Sequence, residues 1–149
     1  MRSVVQRVDQ AGTKVDGRLI SIIGRGILVF LGVERGDGVK DADYLLEKII
    51  NLRIFEDEVG KMNLSLLDIS GEMLVISQFT LLADCREGRR PSFIQAEEPE
   101  QARKLYEYFI NRGREKVKGV AVGEFQAMMK IEMVNDGPVT VLLDSRKVF

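Results

Sequence analysis

A chain of 149 residues with 45% hydrophobic and 30% charged positions has the make-up of one globular domain, residues 1–149, able to bury about 70% of the surface its unfolded form exposes. Its net charge of −1 excludes the global basic field that drives non-specific nucleic-acid binding, so any RNA contact is expected to be local and DNA is not an expected partner. It contains no histidine, which excludes His-dependent triads, Cys–His dyads and most catalytic zinc sites, and neither a metal nor a cofactor is expected.

The first residues, MRSVVQRV, carry a lone Arg2 and no long apolar stretch of the kind that directs export. No apolar run approaches the roughly 18 residues of a membrane span. A cytoplasmic protein without membrane association is the expectation. The single cysteine, Cys85, has no internal disulfide partner, which agrees with a reducing compartment.

In chain order, three strand-like segments come first: Arg2 to Val8, Thr13 to Ile23 interrupted by the turn Asp16-Gly17, and the doubly apolar Gly26 to Val33. Ala42, Leu45, Leu46, Ile49 and Leu52 then line one face of a helix from Val39 to Phe55, with Asp37 and Asp41 as capping candidates. Glu72 to Leu82, EMLVISQFTLL, reads as a buried strand ending in polar residues. Pro99 to Arg112 reads as a second helix, with Pro99 in its first turn and Gly113 as its stop. Strands are expected at Val120 to Phe125, Met129 to Val134 and Val139 to Leu143, the last two joined by the turn residues Asn135-Asp136-Gly137-Pro138, read as a hairpin corner. The order β-β-β-α-β-α-β-β-β predicts a single α/β domain with a mixed sheet system and its helices on one side.

Four features could carry chemistry. Ser77-Gln78-Phe79-Thr80, SQFT, either finishes a strand by bonding local backbone or offers donors to a polar ligand. A Thr80 nucleophile needs a base beside it, and no histidine exists to serve. Arg86, Arg89 and Arg90 cluster around Gly88 and read equally as a solvated loop or as a receiver of phosphates, since Asp84 and Glu87 lie among them. Arg112 to Lys118 reads as a solvated helix end, the pair Met128-Met129 as core filler, and the acidic runs Glu56-Asp57-Glu58 and Glu97-Glu98 as solvated stretches flanking helices.

NLRIFEDEVGKMNLSLLD (Asn51 to Asp68), VISQFTLLAD (Val75 to Asp84), GRRPSF (Gly88 to Phe93) and VNDGPVT (Val134 to Thr140), with Arg7 in VVQRV, together resemble the D-aminoacyl-tRNA deacylase (D-tyrosyl-tRNA(Tyr) deacylase) family, in that order and over essentially the whole chain. The resemblance implies a single-domain, three-layer β/β/α fold with two main helices. It also implies a homodimer with active sites at the subunit interface, and hydrolysis of the ester joining a D-amino acid, or glycine mischarged on tRNA(Ala), to the 3′ end of tRNA. It implies further that Gly137-Pro138 has a cis peptide, enters the partner's pocket and excludes L residues, braced by Arg7. Phe79 and Thr80 would offer backbone amides to the oxyanion, Ser77 and Gln78 would shape the pocket, and the tRNA 2′-hydroxyl would assist the attack of water. Arg86, Arg89 and Arg90 are candidates for contact with tRNA. The chain departs from the family pattern at Ala11-Gly12-Thr13-Lys14 and at Gln126, which follows Phe125 where a small residue is usual.

Overall fold

The computed structural model describes residues 1–149. β1, Arg2–Val15, alternates buried and accessible positions along its first half. Asp16 and Gly17, both at positive φ, turn it back into β2, Arg18–Ile23, as a two-residue hairpin requires. β3, Gly26–Gly32, is apolar on both faces and pairs antiparallel with residues 2–8 of β1, while residues 11–15 of β1 pair with β2. One long strand therefore passes from one layer of the molecule into another.

α1, Val39–Ile50, starts where the Asp41 carboxylate accepts the Gly38 N–H at 2.9 Å. Its stripe of Ala42, Leu45, Leu46 and Ile49 is fully buried, and each of the larger side chains contributes about 1.5–3 kcal/mol by leaving water. A small hairpin follows, β4 (Phe55–Glu56) and β5 (Met62–Leu64), and then β6, Glu72–Ser77. α2 spans Pro99–Arg114, β7 spans Gly119–Val122 and β8 spans Met129–Asp144. β3–β6 and β6–β7 are parallel, whereas β1–β2, β1–β3 and β1–β8 are antiparallel, so the sheet is mixed.

Burial on both faces of β3 and β6 produces the layers. Ile27, Val29, Leu31, Met73 and Val75 pack under α1 and α2 in the main core. Leu28, Leu74 and Ile76, of alternate parity, meet Val8, Ala11 and Ile23, with Met129 and Ile131 against them, in a smaller core between the β layers. The expected β/β/α arrangement, with both helices on one side, is the arrangement found.

Several boundaries differ from the sequence reading. α1 ends at Ile50 because the chain must leave it to pair Phe55 with Leu64. β6 stops at Ser77, and Phe79–Leu82 forms a 3₁₀ turn. β7 ends at Val122, which leaves Phe125 in a connection. Gly113 does not stop α2: it is helical and buried, at a point where a Cβ would come within 2.9 Å of the Met73 methyl, so glycine serves close packing. The largest correction concerns Asn135–Pro138, which is not a hairpin corner. Both arms of β8 run along the same strand, β1, and β8 advances from Asn135 to Thr140 while β1 moves only from Val8 to Gln6. The surplus residues form an excursion from a continuous strand, a large bulge rather than a reversal.

Candidate active site

The SQFT segment is shaped by the end of β6. Gln78 N–H still donates to Leu31 O at 2.8 Å, as a further rung of the ladder would. The chain then tightens into the 3₁₀ turn, whose return bonds are Leu81 N–H to Gln78 O (3.3 Å) and Ala83 N–H to Thr80 O (3.1 Å). Buried Leu82 anchors the turn over Gly32, where a Cβ would lie 2.5 Å from Leu82 Cδ2 and 2.9 Å from Gln78 O; no other residue fits beneath. The amides of Phe79 and Thr80 precede the first return bond, as the opening amides of a helical turn do, and stay free to donate.

These residues face a cavity of about 670 Å³, within the range of small-molecule sites. Ile76 to Phe79 form one wall, Val33 and Arg35 a second, Glu97 to Pro99 with Ala102 a third, and Phe125 to Met129 with Ile131 the fourth. Phe79 and Phe93 meet edge to face at its mouth, with ring centroids 5.1 Å apart. The charged groups in the wall are engaged. Arg35 Nη2 pairs with Glu98 Oε1 at 2.7 Å, and Glu97 accepts the Glu98 N–H at 2.8 Å. The Thr80 hydroxyl accepts a hydrogen bond from the Gln78 side-chain amide, which is a donor and cannot take a proton. The arrangement supplies apolar surface, amide donors, and two carboxylates that neighbouring donors already occupy.

Tyr106 supports the site from below. Its hydroxyl donates to Val75 O at 2.8 Å, and burial pushes its pKa up to about 12 against the opposing pull of the Gly123 amide. Its ring packs on Phe125, whose other neighbour is the Arg103 guanidinium at 4.7 Å.

Ser77, Gln78 and Phe79 thus line the cavity together, with Thr80 one residue beyond. Gly137, Pro138 and Arg7 do not join them. Arg7 pairs across to Ile27, and Ile27 to Met73, so three strand spacings and four residues of rise separate the excursion on β8 from Ser77, roughly 20 Å. The excursion is a built feature in its own right. Gly137 has φ +115° and the Gly137–Pro138 peptide is cis. Buried Arg7 donates through Nη1 to Ile54 O at 2.6 Å, and its Nε lies 2.8 Å from Asp136 Oδ2, an ion pair off the line of a hydrogen bond. Asn135 Nδ2 donates to Arg7 O at 2.8 Å and to Val139 O at 3.2 Å, tying the two ends of the excursion together.

The basic loop lies beside the mouth rather than in the wall. Paired Asp84 and Ser92 amides and carbonyls close it, and Arg86 grips Asp84 through Nε and Nη2 at 2.9 and 2.6 Å. Those bonds hold the Asp84 carboxyl down at about 2 and commit Arg86 locally, while Arg89 and Arg90 stay exposed. Cys85 is exposed in the same loop.

Sequence reasoning missed the part played by the β7–β8 connection. Met128 is not core filler: it is 91% exposed at the cavity, and Met129 serves both the cavity and the smaller core. Gln126 lines the cavity at φ +65°, a left-handed conformation that favours glycine over a residue with a Cβ. Glu97 and Glu98 border the cavity as well as flanking α2: Glu97 is half-buried, and Glu98 is solvated as its sequence suggested. Asn135 and Asp136 were read as turn formers only, and the contact each makes through space has no local signal.

A sequence model described as D-Tyr-tRNA(Tyr) deacylase matches residues 4–144. The chain belongs to this family. A D-aminoacyl-tRNA deacylase of Syntrophus aciditrophicus (strain SB) is 66% identical over 149 residues, covering 100% of both chains. That of Geotalea uraniireducens (strain Rf4) is 60% identical over 147 residues, covering 99% of this chain and 95% of that one. Among solved structures, one named c-Myc DNA Unwinding Element Binding Protein superposes with TM-score 0.92 at 42% identity, over 97% of this chain and 98% of that one. A probable eukaryotic D-amino acid tRNA deacylase shares the deacylase fold at TM-score 0.81 and 19% identity, over 96% and 98% of the two chains. No helix is long and apolar enough to cross a membrane.

Proposed function

We propose that the protein is a D-aminoacyl-tRNA deacylase whose cavity receives the 3′-terminal aminoacyl-adenosine. The family gives the reaction class, hydrolysis of an aminoacyl-tRNA ester. The observation that carries the finer reading is the pair of free amides at Phe79 and Thr80, set at the edge of a largely apolar cavity whose two carboxylates, Glu97 and Glu98, are already taken by neighbouring donors. Water adds to the ester carbonyl, and the developing oxyanion is held by these amides. The C–O bond to the ribose then breaks, and the departing 3′-oxygen takes a proton, leaving tRNA and the free amino acid. With no histidine in the chain and the cavity carboxylates engaged by neighbouring donors, the neighbouring 2′-hydroxyl of the substrate assists the attack, and the protein contributes position and electrostatics.

Chirality is read by Gly137-Pro138 of a second copy. The excursion is exposed, braced by Arg7 and Asp136, and too far from its own cavity to act there. Val134 and Leu142 leave apolar surface beside it, which supports a homodimer in which each subunit's backbone occupies the space an L side chain needs. Glycyl-tRNA(Ala), without a side chain, passes the same filter. Arg89 and Arg90, both exposed, meet tRNA phosphates in this reading, and the protein works in the cytoplasm, where aminoacyl-tRNA is made.

The test is hydrolysis of D-Tyr-tRNA against L-Tyr-tRNA: D is cleaved and L spared, and equal cleavage of both overturns the reading. Thr80→Ala keeps most activity, whereas a terminal 2′-deoxy tRNA loses it; an inactive Thr80→Ala protein with a trappable acyl-enzyme would establish a threonine nucleophile instead. Sedimentation should give a dimer. A second reading, a nucleic-acid-binding module without turnover, draws on the exposed arginines and on the relative named for a DNA element. Salt-dependent binding with no deacylation would favour it.

A further inference from the structure

We propose that a second groove, along α2, carries the single-stranded RNA that leads into the cavity, with Arg103 and Arg114 receiving its phosphates. The inference rests on the aminoacyl-tRNA reading of the cavity. The groove, about 460 Å³, lies between α2 and the end of β7, and it shares Phe125 with the cavity. The two hollows therefore adjoin at Phe125, and a polymer whose last nucleotide fills the cavity has the groove as its neighbouring path.

The groove is lined by a stripe of α2 in which Arg103, Glu107, Asn111 and Arg114 recur every three or four residues. Arg103 to Arg114 spans roughly 16 Å of helix, enough for more than one nucleotide. The two arginines are free in a way their neighbour is not: Arg112, on another face, is held by Asp43 and Glu115. The Arg103 guanidinium lies 4.7 Å over the Phe125 ring, at the junction of the two hollows. A stacked guanidinium uses its face for the ring and keeps its in-plane N–H fork for an anion. Tyr106, bonded to Val75 O, is floor rather than ligand.

Glu107 and Glu124 also line the groove, so it has no net field for a free anion. Carboxylates accept hydrogen bonds from the amino group of cytosine. Guanidinium and carboxylate together complement both halves of a cytidine nucleotide, phosphate and base. The single-stranded 3′ end of tRNA, with cytidines before its terminal adenosine, has that chemistry.

The experiment compares Arg103→Ala and Arg114→Ala with wild type on D-Tyr-tRNA and on the minimal substrate 3′-D-tyrosyl-adenosine, together with anisotropy binding of the RNA tetramer ACCA at graded salt. Each variant should lose about three- to tenfold in kcat/KM on the tRNA and nothing on the adenosine. Each should lower the slope of log affinity against log salt by about 0.7, the value of one lost phosphate contact on a single strand. Replacing the two cytidines of the tetramer by uridines should weaken binding to wild type. Lys61→Ala, exposed on the β4–β5 hairpin and part of neither lining, should change none of these. Equal losses on both substrates would assign the arginines to the cavity's integrity, and no loss on tRNA would empty the groove of any role; either overturns the proposal. Should wild type cleave neither substrate, the deacylase reading fails, while the salt slopes still decide the groove: unchanged slopes in both variants overturn it.

Discussion

Arg7 and Asp136 form an ion pair whose two ends see different solvents, and this predicts unequal costs for breaking it. The Arg7 side chain is 6% exposed and that of Asp136 37%. Arg7→Met removes the donor to the buried Ile54 carbonyl, about 1–3 kcal/mol for a stranded acceptor, while Asp136 rehydrates at little cost. Asp136→Asn leaves the buried guanidinium without its counter-charge, with a neutral amide oxygen and the Ile54 carbonyl as acceptors, and breaking a buried pair from this side costs up to about 3–5 kcal/mol, reduced here by the solvent that reaches position 136. The expected order is Asp136→Asn most destabilised, with Arg7→Met and the double variant nearly equal to each other, because a neutral amide in place of the Asp136 carboxylate does no harm once the cation is gone. Urea unfolding at pH 7, with unchanged m-values, measures all four corners of the cycle. The deacylation ratio of D- to L-Tyr-tRNA should fall in each variant, because the excursion loses its brace. Additive costs, or Asp136→Asn costing under about 1 kcal/mol, would refute the claim that Arg7 is a buried cation held by Asp136.

Tyr106→Phe removes one of two donors to the Val75 carbonyl, which keeps the Gly123 N–H at 3.2 Å, and should cost about 0.5–1.5 kcal/mol by urea unfolding. The Tyr106 pKa is raised in the folded state, so its contribution is complete below pH ~10 and is lost as pH rises through about 12; the Phe variant should lack this alkaline loss. The Asp84–Arg86 clip runs the other way. With the Asp84 pKa depressed, its contribution is present above pH ~4 and lost as pH falls through about 2, which amide exchange at Asp84 and Ser92 should report, and Arg86→Ala should abolish that dependence. Gln126→Gly relieves a left-handed backbone and should raise stability by no more than about 1 kcal/mol, while widening the cavity enough to change relative rates among D-aminoacyl-tRNAs; unchanged rates would remove Gln126 from substrate selection.

Much of the fold was legible because its signals are local and periodic. The α1 stripe from Ala42 to Ile49, the Asp16-Gly17 hairpin and the two-faced apolar runs of β3 and β6 each state their structure in consecutive residues. The misreadings share a cause. Asn135-Asp136-Gly137-Pro138 is turn chemistry whether the strand reverses or bulges, and only the partner of Val139 to Leu143 distinguishes the two. Gly113 carries the signature of a helix stop, and the Met73 methyl that explains it is 40 residues away in sequence. Met128 and Glu97 read as core and as solvent because neither shows, in one dimension, the cavity wall it helps to form.

The sequence alone narrowed the chemistry available: without histidine the commonest general base is missing, and SQFT ending a buried strand points to backbone donors and positioning. It also determined the family, through motifs whose order spans the chain. Tertiary structure decided which of those motifs meet. Strand pairing and ion pairing join residues more than a hundred positions apart, as Arg7 and Asp136 are, and local propensity says nothing about such partners. The folded chain therefore holds SQFT at one site and Gly137-Pro138 roughly 20 Å away, one facing a cavity and the other exposed to solvent.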